Sequence, residues 1–482
     1  MYDICIIGGG ASGMTAAIAA YKTNENIKIC IVEKNTELGK KILATGNGRC
    51  NLSNSRCHNN DKVLGFLGDL GIVTRTDESG RIYPYSEQGA QVRDLLSVHA
   101  FASADVFLGD AAEHISSSDG LVTNSVETDS AKAAGKNERK GFSVIMKSGR
   151  IIKTRTVILA LGGKAGPQYG CTGDGYRLAR NLGHRVTRLA PALSAVECKG
   201  AFKPIKGVRA KARVQLLKKI KMSGERLQDG KGRVIKNESN DVIAEESGEV
   251  QFTADGLSGI CIFDLSRFIK LYDSETLDDG FKKYSLRVDL MPDISEDALR
   301  EMLNEKIKIF SRRITENNAK RVIQCSHLKN KNASKKYNTQ FKEKWCVLET
   351  IVNDKLAKMI FERVTDNMGT DKMYPNMIDV RSERAESFYA KEPVKLAKAL
   401  ASGIKDMRFQ VSSVKGWRYA QCTSGGIPRV EVDMSTMESK IVKGLYIIGE
   451  MIDNDCPCGG FNLNNAWETG IKAGIASSAE AG

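Results

Sequence analysis

The stretch "YDICIIGGGASGMTAAIAAY", Tyr2 to Tyr21, decides how the fold is read. Tyr2–Ile7 is a short apolar run suited to a buried strand, glycines follow, and small helix formers begin at Ala11 and Ser12. A second apolar run, "IKICIVEK", reaches Glu33. Gly8-x-Gly10-x-x-Gly13 therefore sits between a strand and a helix, with an acid about 20 residues on, the context of a dinucleotide fingerprint. Gly8 allows the tight turn, Gly10 admits a pyrophosphate close to the backbone, and Gly13 lets helix and strand approach. The helix N-terminus then faces the phosphates, and Glu33 is placed to accept from ribose hydroxyls.

Outward from that stretch, 482 residues give room for two or three domains, and 41% hydrophobic with 27% charged content is ordinary globular composition. No apolar run reaches the roughly 18 residues of a membrane span. The run Ile4–Ile7 follows Met1 too closely for the basic leader of a signal peptide. Twelve cysteines are scattered from Cys5 to Cys458 without a spaced framework, which reads as reduced thiols in the cytoplasm. The one close pair, Cys456-Pro-Cys458, has a single residue between its thiols and no second pair nearby, so no metal site is expected.

Strand–turn–helix grammar returns near the far end. "GLYIIGEMID" (Gly444 to Asp453) predicts a core strand and "NLNNAWETGIKAGIASSAEAG" a second small-residue helix. Between these ends, Ala104 to Ile115 reads as a strand, and residues 116–140 as a polar excursion in a β-hairpin. Strands in "GFSVIMKSGRIIKTRTVILALGG" rejoin the sheet at Val157–Leu161. "TGDGYRLARNLGH" predicts a helix with Asp174 as N-cap, Leu178, Ala179 and Leu182 buried, and Gly183 as its stop. From Pro191 the pattern alternates, most plainly in "VRAKARVQLL". Helical periodicity follows in "SEDALREMLNEKIKIF", capped by Ser295, and in "CVLETIVNDKLAKMIFERV". Lys329 to Lys344 reads as a basic loop or a solvated helix. The expected architecture is α/β: a discontinuous dinucleotide-binding domain over 1–190 and 410–482, an inserted β-rich basic domain over 191–290, and a mainly helical domain over 291–409.

"LATGNGRCNLSN", Leu43 to Asn54, cannot build a core, since it is glycine, amide, guanidinium and thiol. Together with "GGKAGPQYGCTGDGYRLARNLGH", "GLSGICIFDLSR", "GGIPRVEVDMSTMESK" and "GLYIIGEMIDNDCPCGGFNLNNAW", it resembles the aminoacetone-oxidase or BaiN-like (YhiN-type) flavoproteins, whose FAD domain is glutathione-reductase-like. The resemblance implies FAD, held in its ADP half by Gly8, Gly10, Ala11, Ser12, Gly13, Glu33 and Lys34. Lys41, Ala112, Ala160 and Gly162 join the cofactor set. Gly449 and Glu450 would border the ribityl chain. Gly459, Gly460, Phe461, Asn462 and Leu463 would lead a helix N-terminus toward the reduced ring. Gly46, Asn47, Gly48, Arg49, Cys50 and Asn51 would line the ring's opposite side, with bare backbone allowing close approach. The plainer alternative is a surface loop with a buried cysteine. No second GxGxxG follows a strand, so NADH or NADPH would visit only transiently.

Net charge is +14. Val196–Lys236 carries thirteen Lys/Arg against three acids, and Lys320–Trp345 eight against Glu343. Three functions compete. The resemblance includes members that reduce uridine to dihydrouridine in large-subunit ribosomal RNA, and the two basic windows suit phosphate contacts. Cys50 is then the candidate proton donor, as a thiol near neutral pKa, with Arg49 beside it and Cys458 as the rival thiol; packing is the other role open to Cys50. The second reading is oxidation or reduction of a small molecule, an enone-like steroid or an aminoketone, with the basic windows as solvated faces. The third is a non-catalytic RNA-binding flavoprotein.

Overall fold

Residue by residue, Ile4 pairs with Ile29, Cys5 with Cys30 and Ile7 with Val32, in parallel register. Those pairs seed the main sheet of a computed structural model that describes residues 1–117, 141–200, 202–221, 238–270, 280–325, 347–367 and 392–481. The chain divides into two compact units, Met1–Ser194 with Lys415–Gly482, and Ala195–Val414.

In the first unit, strand Tyr2–Ile7 lies between Ile29–Glu33 and Ile151–Leu159, and Asp105–Leu108 extends the parallel edge. Leu445–Ile447 adds in parallel to Ile151–Leu159, returning the end of the chain to the sheet of its beginning. Ala112–Ser117 and Phe142–Met146 complete an antiparallel meander on the same sheet. The single strand expected over Ala104–Ile115 is thus two strands. Gly109 breaks it, at φ +73, where the Gly109 and Asp110 N–H groups turn to Asn35 and Glu33 carbonyls. Most of the expected excursion, 118–140, lies outside the described residues.

The two small-residue helices, Ala11–Thr23 and Phe461–Ala481, pack backbone to backbone, and their composition is the reason. A Cβ on Gly470 would stand 2.5 Å from the Ser12 carbonyl oxygen, and one on Gly474 2.4 Å from that of Ala16. Apolar runs that read as strands fill the interior: Ile4, Ile6, Ile31, Val157 and Ile158 share one core.

The second unit is built on a closed antiparallel barrel of six strands: Val196–Cys198, Gly256–Ser258, Glu238–Phe252, Arg209–Lys221, Tyr284–Asp289 and Met407–Val414. Alternation in the strand Arg209–Lys221 turns Ala212, Val214 and Leu216 inward. A bulge between Leu216 and Leu217 lets two successive leucines be buried. Ser295 caps helix Glu296–Cys325 through its hydroxyl, which accepts the Ala298 N–H at 3.2 Å. Helix Asp354–Asn367 starts later than its apolar pattern, because Asn353 takes the Lys355 N–H and sets its first turn. Leu299, Leu303, Phe361 and Leu400 from the helices share one core with Phe252, Leu286 and Phe409 of the barrel. The β-rich segment 191–290 and the helical segment 291–409 therefore close on common apolar contacts. The last barrel strand comes after the helices in the chain.

The long hairpin revises the charge reading. Residues 238–249 hold five acids and no Lys or Arg, and they pair in register with the basic strand: Lys211 opposite Glu249, Lys218 opposite Asp241. Arg209 makes an ion pair with Glu249 at 3.2 Å. Part of the positive window is thus neutralised by its own neighbour. Residues 222–237 and 326–346, which carry much of the remaining basic charge, lie outside the described residues.

Candidate functional site

A cleft opens in the first unit over the glycine turn. Gly8, at φ +109, ends the opening strand; a Cβ there would stand 2.4 Å from the Ala160 carbonyl oxygen. On Gly13 it would stand 1.9 Å from the Gly8 oxygen, so strand, turn and helix touch through backbone. Gly10 differs, since a Cβ on it would meet nothing within 4 Å. Its face is open to the cleft. Helix Ala11–Thr23 starts there with no side-chain cap and no acid in its first turn, leaving N–H groups and positive dipole for an anion. This combination fits a pyrophosphate.

Glu33 stands at the neighbouring wall, nine-tenths buried. Its Oε2 accepts the Gly9 N–H at 2.8 Å, and its Oε1 accepts the Asn35 N–H and side-chain amide. Oε2, with a single donor, keeps a lone pair for a ribose hydroxyl. Lys34 pairs with Asp174. Asp174 is therefore not the N-cap of its helix, Asp174–Asn181; Gly173, at φ +82, holds that place, and the carboxylate turns to Lys34 and Thr172 instead. Burial pushes the Asp174 carboxyl up, but the Lys34 and Thr172 hydrogen bonds outweigh it and hold it below its ordinary range.

Further along, Lys41 pairs with Glu450 at 2.8 Å, and the other Glu450 oxygen accepts the Thr423 N–H at 2.7 Å. Thr423 Oγ1 accepts from the Lys164 and Ala165 N–H groups, fixing the "GGKAG" loop beside Gly162. Gly449, at φ +65, is needed for a different contact from the one expected. A Cβ there would come within 2.8 Å of Ser12 Oγ, where the two ends of the chain meet.

The cleft brings together thirteen of the sequence-predicted residues: Gly8, Gly10, Ala11, Ser12, Glu33, Lys34, Lys41, Ala112, Ala160, Gly162, Glu450, Asn462 and Leu463. It leaves out the "GNGRCN" set. Only Thr45 of that loop reaches the lining, whereas Gly46, Asn47, Gly48, Arg49, Cys50 and Asn51 form a turn built mostly on left-handed residues. Gly46, Asn47, Gly48 and Cys50 all have φ between +57 and +87. The bare backbone serves that turn. The Cys50 N–H closes it on the Thr45 carbonyl at 3.0 Å, and Arg49 stacks on the Tyr83 ring at 4.7 Å.

Cys50 itself is fully buried, and a Cβ on Gly89 would lie 3.4 Å from its own Cβ. Burial pushes its thiol up to about 12, against a small opposite effect of Thr45. The near-neutral thiol expected from sequence is not what the surroundings produce. Gly459 and Gly460 also answer to packing: a Cβ on Gly460 would stand 2.2 Å from the Ser53 carbonyl oxygen, and Asn54 donates to the Gly459 carbonyl. Phe461 lies under Arg56 at 5.4 Å.

Sequence reasoning missed Tyr169, Gln421, Cys422, Thr423, Asn454 and Asp455 on the cleft wall. Cys422–Ser424 is a three-residue strand paired with Ala190–Ala192, too short to show a period. Asn454 and Asp455 fall in the quoted stretch "GLYIIGEMIDNDCPCGGFNLNNAW", just after the closing strand, but were given no role there.

The family model of the HI0933-like protein Rossmann domain matches residues 2–63 and 56–476. The chain belongs to the HI0933-like family. Over 99% of both chains it is 31% identical to a 3-dehydro-bile acid delta(4,6)-reductase of Clostridium scindens. It is 24% identical to a ribosomal RNA dihydrouridine synthase of Escherichia coli, over 97% of this chain and 96% of that one. Among solved structures, the open conformation of a flavocytochrome c3 fumarate reductase aligns with 100% of this chain and 78% of its own, at 13% identity and a TM-score of 0.43. This HI0933-like protein is an FAD-dependent oxidoreductase. The open face of Gly10, the uncapped helix and the Glu33 wall fit FAD's ADP half. Among the described residues no helix is long and apolar enough to cross a membrane.

Proposed function

We propose that the protein reduces a carbon–carbon double bond conjugated to a carbonyl in a small, largely apolar molecule of the 3-oxo-steroid class. The observation that carries this reading is the near-full-length similarity to a reductase named for such a bond, at 31% identity against 24% for the ribosomal RNA enzyme. The acidic partner strand of the basic hairpin agrees with it, because the charge once read as a phosphate-binding surface is partly answered within the unit.

When bound, reduced FAD would supply the hydride chemistry that reduction of such a bond requires. The protein's own groups do the holding. The Ala11–Ser12 N–H groups take the pyrophosphate, and Glu33 takes the adenosine ribose. Lys41 and Glu450 fix opposite charges on the wall beyond. Reducing equivalents come from a transient visit of NADH or NADPH.

A second reading, reduction of uridine in ribosomal RNA, has the Escherichia coli relative and the remaining basic charge in its favour. Its chemistry is related, since uracil also carries a double bond conjugated to a carbonyl. Purified holoprotein with NADH or NADPH under argon should convert a 3-oxo-Δ4 steroid to a product two hydrogens heavier. Ribosomal RNA from a deletion strain should keep all its dihydrouridine. Loss of one dihydrouridine, restored by the gene, together with no steroid product, would replace this reading with the RNA one.

A further inference from the structure

Cys456 and Cys458 are unused by the function just described, yet the fold holds them carefully. They flank Pro457 on the turn leading into helix Phe461–Ala481. The Asn462 side chain clamps that turn: its Oδ1 accepts the Cys456 N–H at 3.0 Å, and its Nδ2 donates to the carbonyls of Cys456 and Pro457 at 2.9 and 3.2 Å. The amide expected to face the cofactor is thus spent largely on presenting two thiols.

Each thiol reaches the cleft wall. The Cys456 thiol donates to the Asn454 carbonyl and the Cys458 thiol to Gln421 Oε1, both at 3.6 Å, and Asn454 and Gln421 line the cleft. Seven of the ten described cysteines are buried; Cys456 and Cys458 are half-exposed, as is Cys57. Close to the turn lie the start of the closing helix, Arg56 over Phe461, and Arg81, whose Nε would lie 3.7 Å from a Cβ on Gly459, with Asp455 adjacent to Cys456. No cluster of three or more metal-ligating side chains exists among the described residues.

We propose that Cys456 and Cys458 are a redox-active dithiol that reduces a small or protein disulfide and closes to an intramolecular bridge. The Cys458 thiolate attacks one sulfur of the incoming disulfide. That S–S bond breaks, and the first sulfur leaves as a thiolate that takes a proton. The Cys456 thiolate then attacks Cys458 Sγ in the mixed disulfide, the Cys456–Cys458 bond forms, and the second sulfur leaves likewise. Two electrons and two protons pass from the pair to the substrate disulfide. A bridge across a single residue is short and strained, and strained, accessible disulfides are the readily reduced ones, so the reaction runs reversibly. Bridging also removes both thiol hydrogen bonds from the cleft wall.

The test uses FAD-loaded wild-type protein in buffers of reduced and oxidised glutathione, quenched in acid, alkylated and mapped by peptide mass. Cys456 and Cys458 should lose alkylation together as the oxidised fraction rises. Their common peptide should be two hydrogens lighter and carry no glutathione, and dithiothreitol should restore it. Cys57, a half-exposed thiol with no such neighbour on its turn, should stop at a glutathione adduct or stay alkylated. Cys456→Ser, with FAD content checked by absorbance, should hold Cys458 as a stable glutathione adduct. Both thiols fully alkylated throughout, or each carrying its own stable glutathione in the wild type, would overturn the proposal.

Discussion

Lys41 Nζ lies 2.8 Å from Glu450 Oε2, joining residues 409 positions apart on one wall of the cleft. Burial works against the Lys41 charge, but the Glu450 carboxylate outweighs it and holds the ammonium above its ordinary range. Glu450→Gln keeps the shape and removes the charge, leaving a partly buried cation without its counterion. Breaking such a pair should lower stability by about 1–3 kcal/mol, below the cost for a fully buried one. FAD affinity should fall at least about tenfold, a change of about 1.4 kcal/mol in binding. Fluorescence titration of apoprotein with FAD, beside thermal melting, reads both. Unchanged affinity would assign the pair to structure alone.

The two fingerprint glycines should separate binding from folding. Gly10→Glu places its side chain in open space, so the apoprotein should fold and melt normally while binding no FAD. Gly13→Ala drives a methyl into the Gly8 carbonyl oxygen, and should lower soluble yield and melting temperature before any effect on FAD is measurable. Yellow, stoichiometric Gly10→Glu protein would contradict the pyrophosphate assignment.

That contrast shows how the fold was legible. Gly8, Gly10, Gly13 and Glu33 act over about two dozen residues of chain, where spacing carries the information. The closing strand and helix were readable for the same reason. The near-neutral thiol expected of Cys50 was a misreading because its environment depends on Gly89 and Thr45, packed around it, and no local pattern reports burial. Thr423 escaped because its partners at Lys164 and Ala165 are about 260 residues away and its strand is three residues long. The charge reading was incomplete over a shorter distance: the acids of 238–249 follow the basic window directly, but only hairpin register shows that they face it.

Cys50→Ala separates packing from proton donation at this cysteine. A thiol enclosed in the core contributes packing, so the variant should lose about 1 kcal/mol of stability, retain FAD, and keep turnover within a few-fold. Removal of a general acid would instead cost about 10²–10⁴ in rate. A loss of that size, with full FAD content, would restore Cys50 to the proton-donor role.

Acid should weaken the first unit through His184. The ring is buried, with Nδ1 2.9 Å from Glu431 Oε2 and Nε2 2.8 Å from Ser439 Oγ. Burial lowers its pKa from 6.5, more than Glu431 raises it. The unfolded chain therefore takes the proton first, and stability present above pH about 6.5 is lost as pH falls below it. Burial raises the Glu431 carboxyl, but Arg185 and His184 hydrogen bonds outweigh that and hold it below 4.5, which adds a second loss at still lower pH. Apoprotein should melt several degrees lower at about pH 5 than at about pH 7.5, and His184→Asn should flatten the upper part of that slope. Equal melting temperatures across the range would contradict the reading.

Hydride delivery from the flavin to a small conjugated enone is visible in one turnover of prereduced protein. Holoprotein is reduced anaerobically to bleached flavin and mixed with a 3-oxo-Δ4 steroid. The oxidised flavin spectrum should return in step with one equivalent of steroid two hydrogens heavier, and should not return with uridine-containing ribosomal RNA fragments. Flavin that stays reduced with the steroid but is reoxidised by the RNA, with dihydrouridine formed, would contradict it.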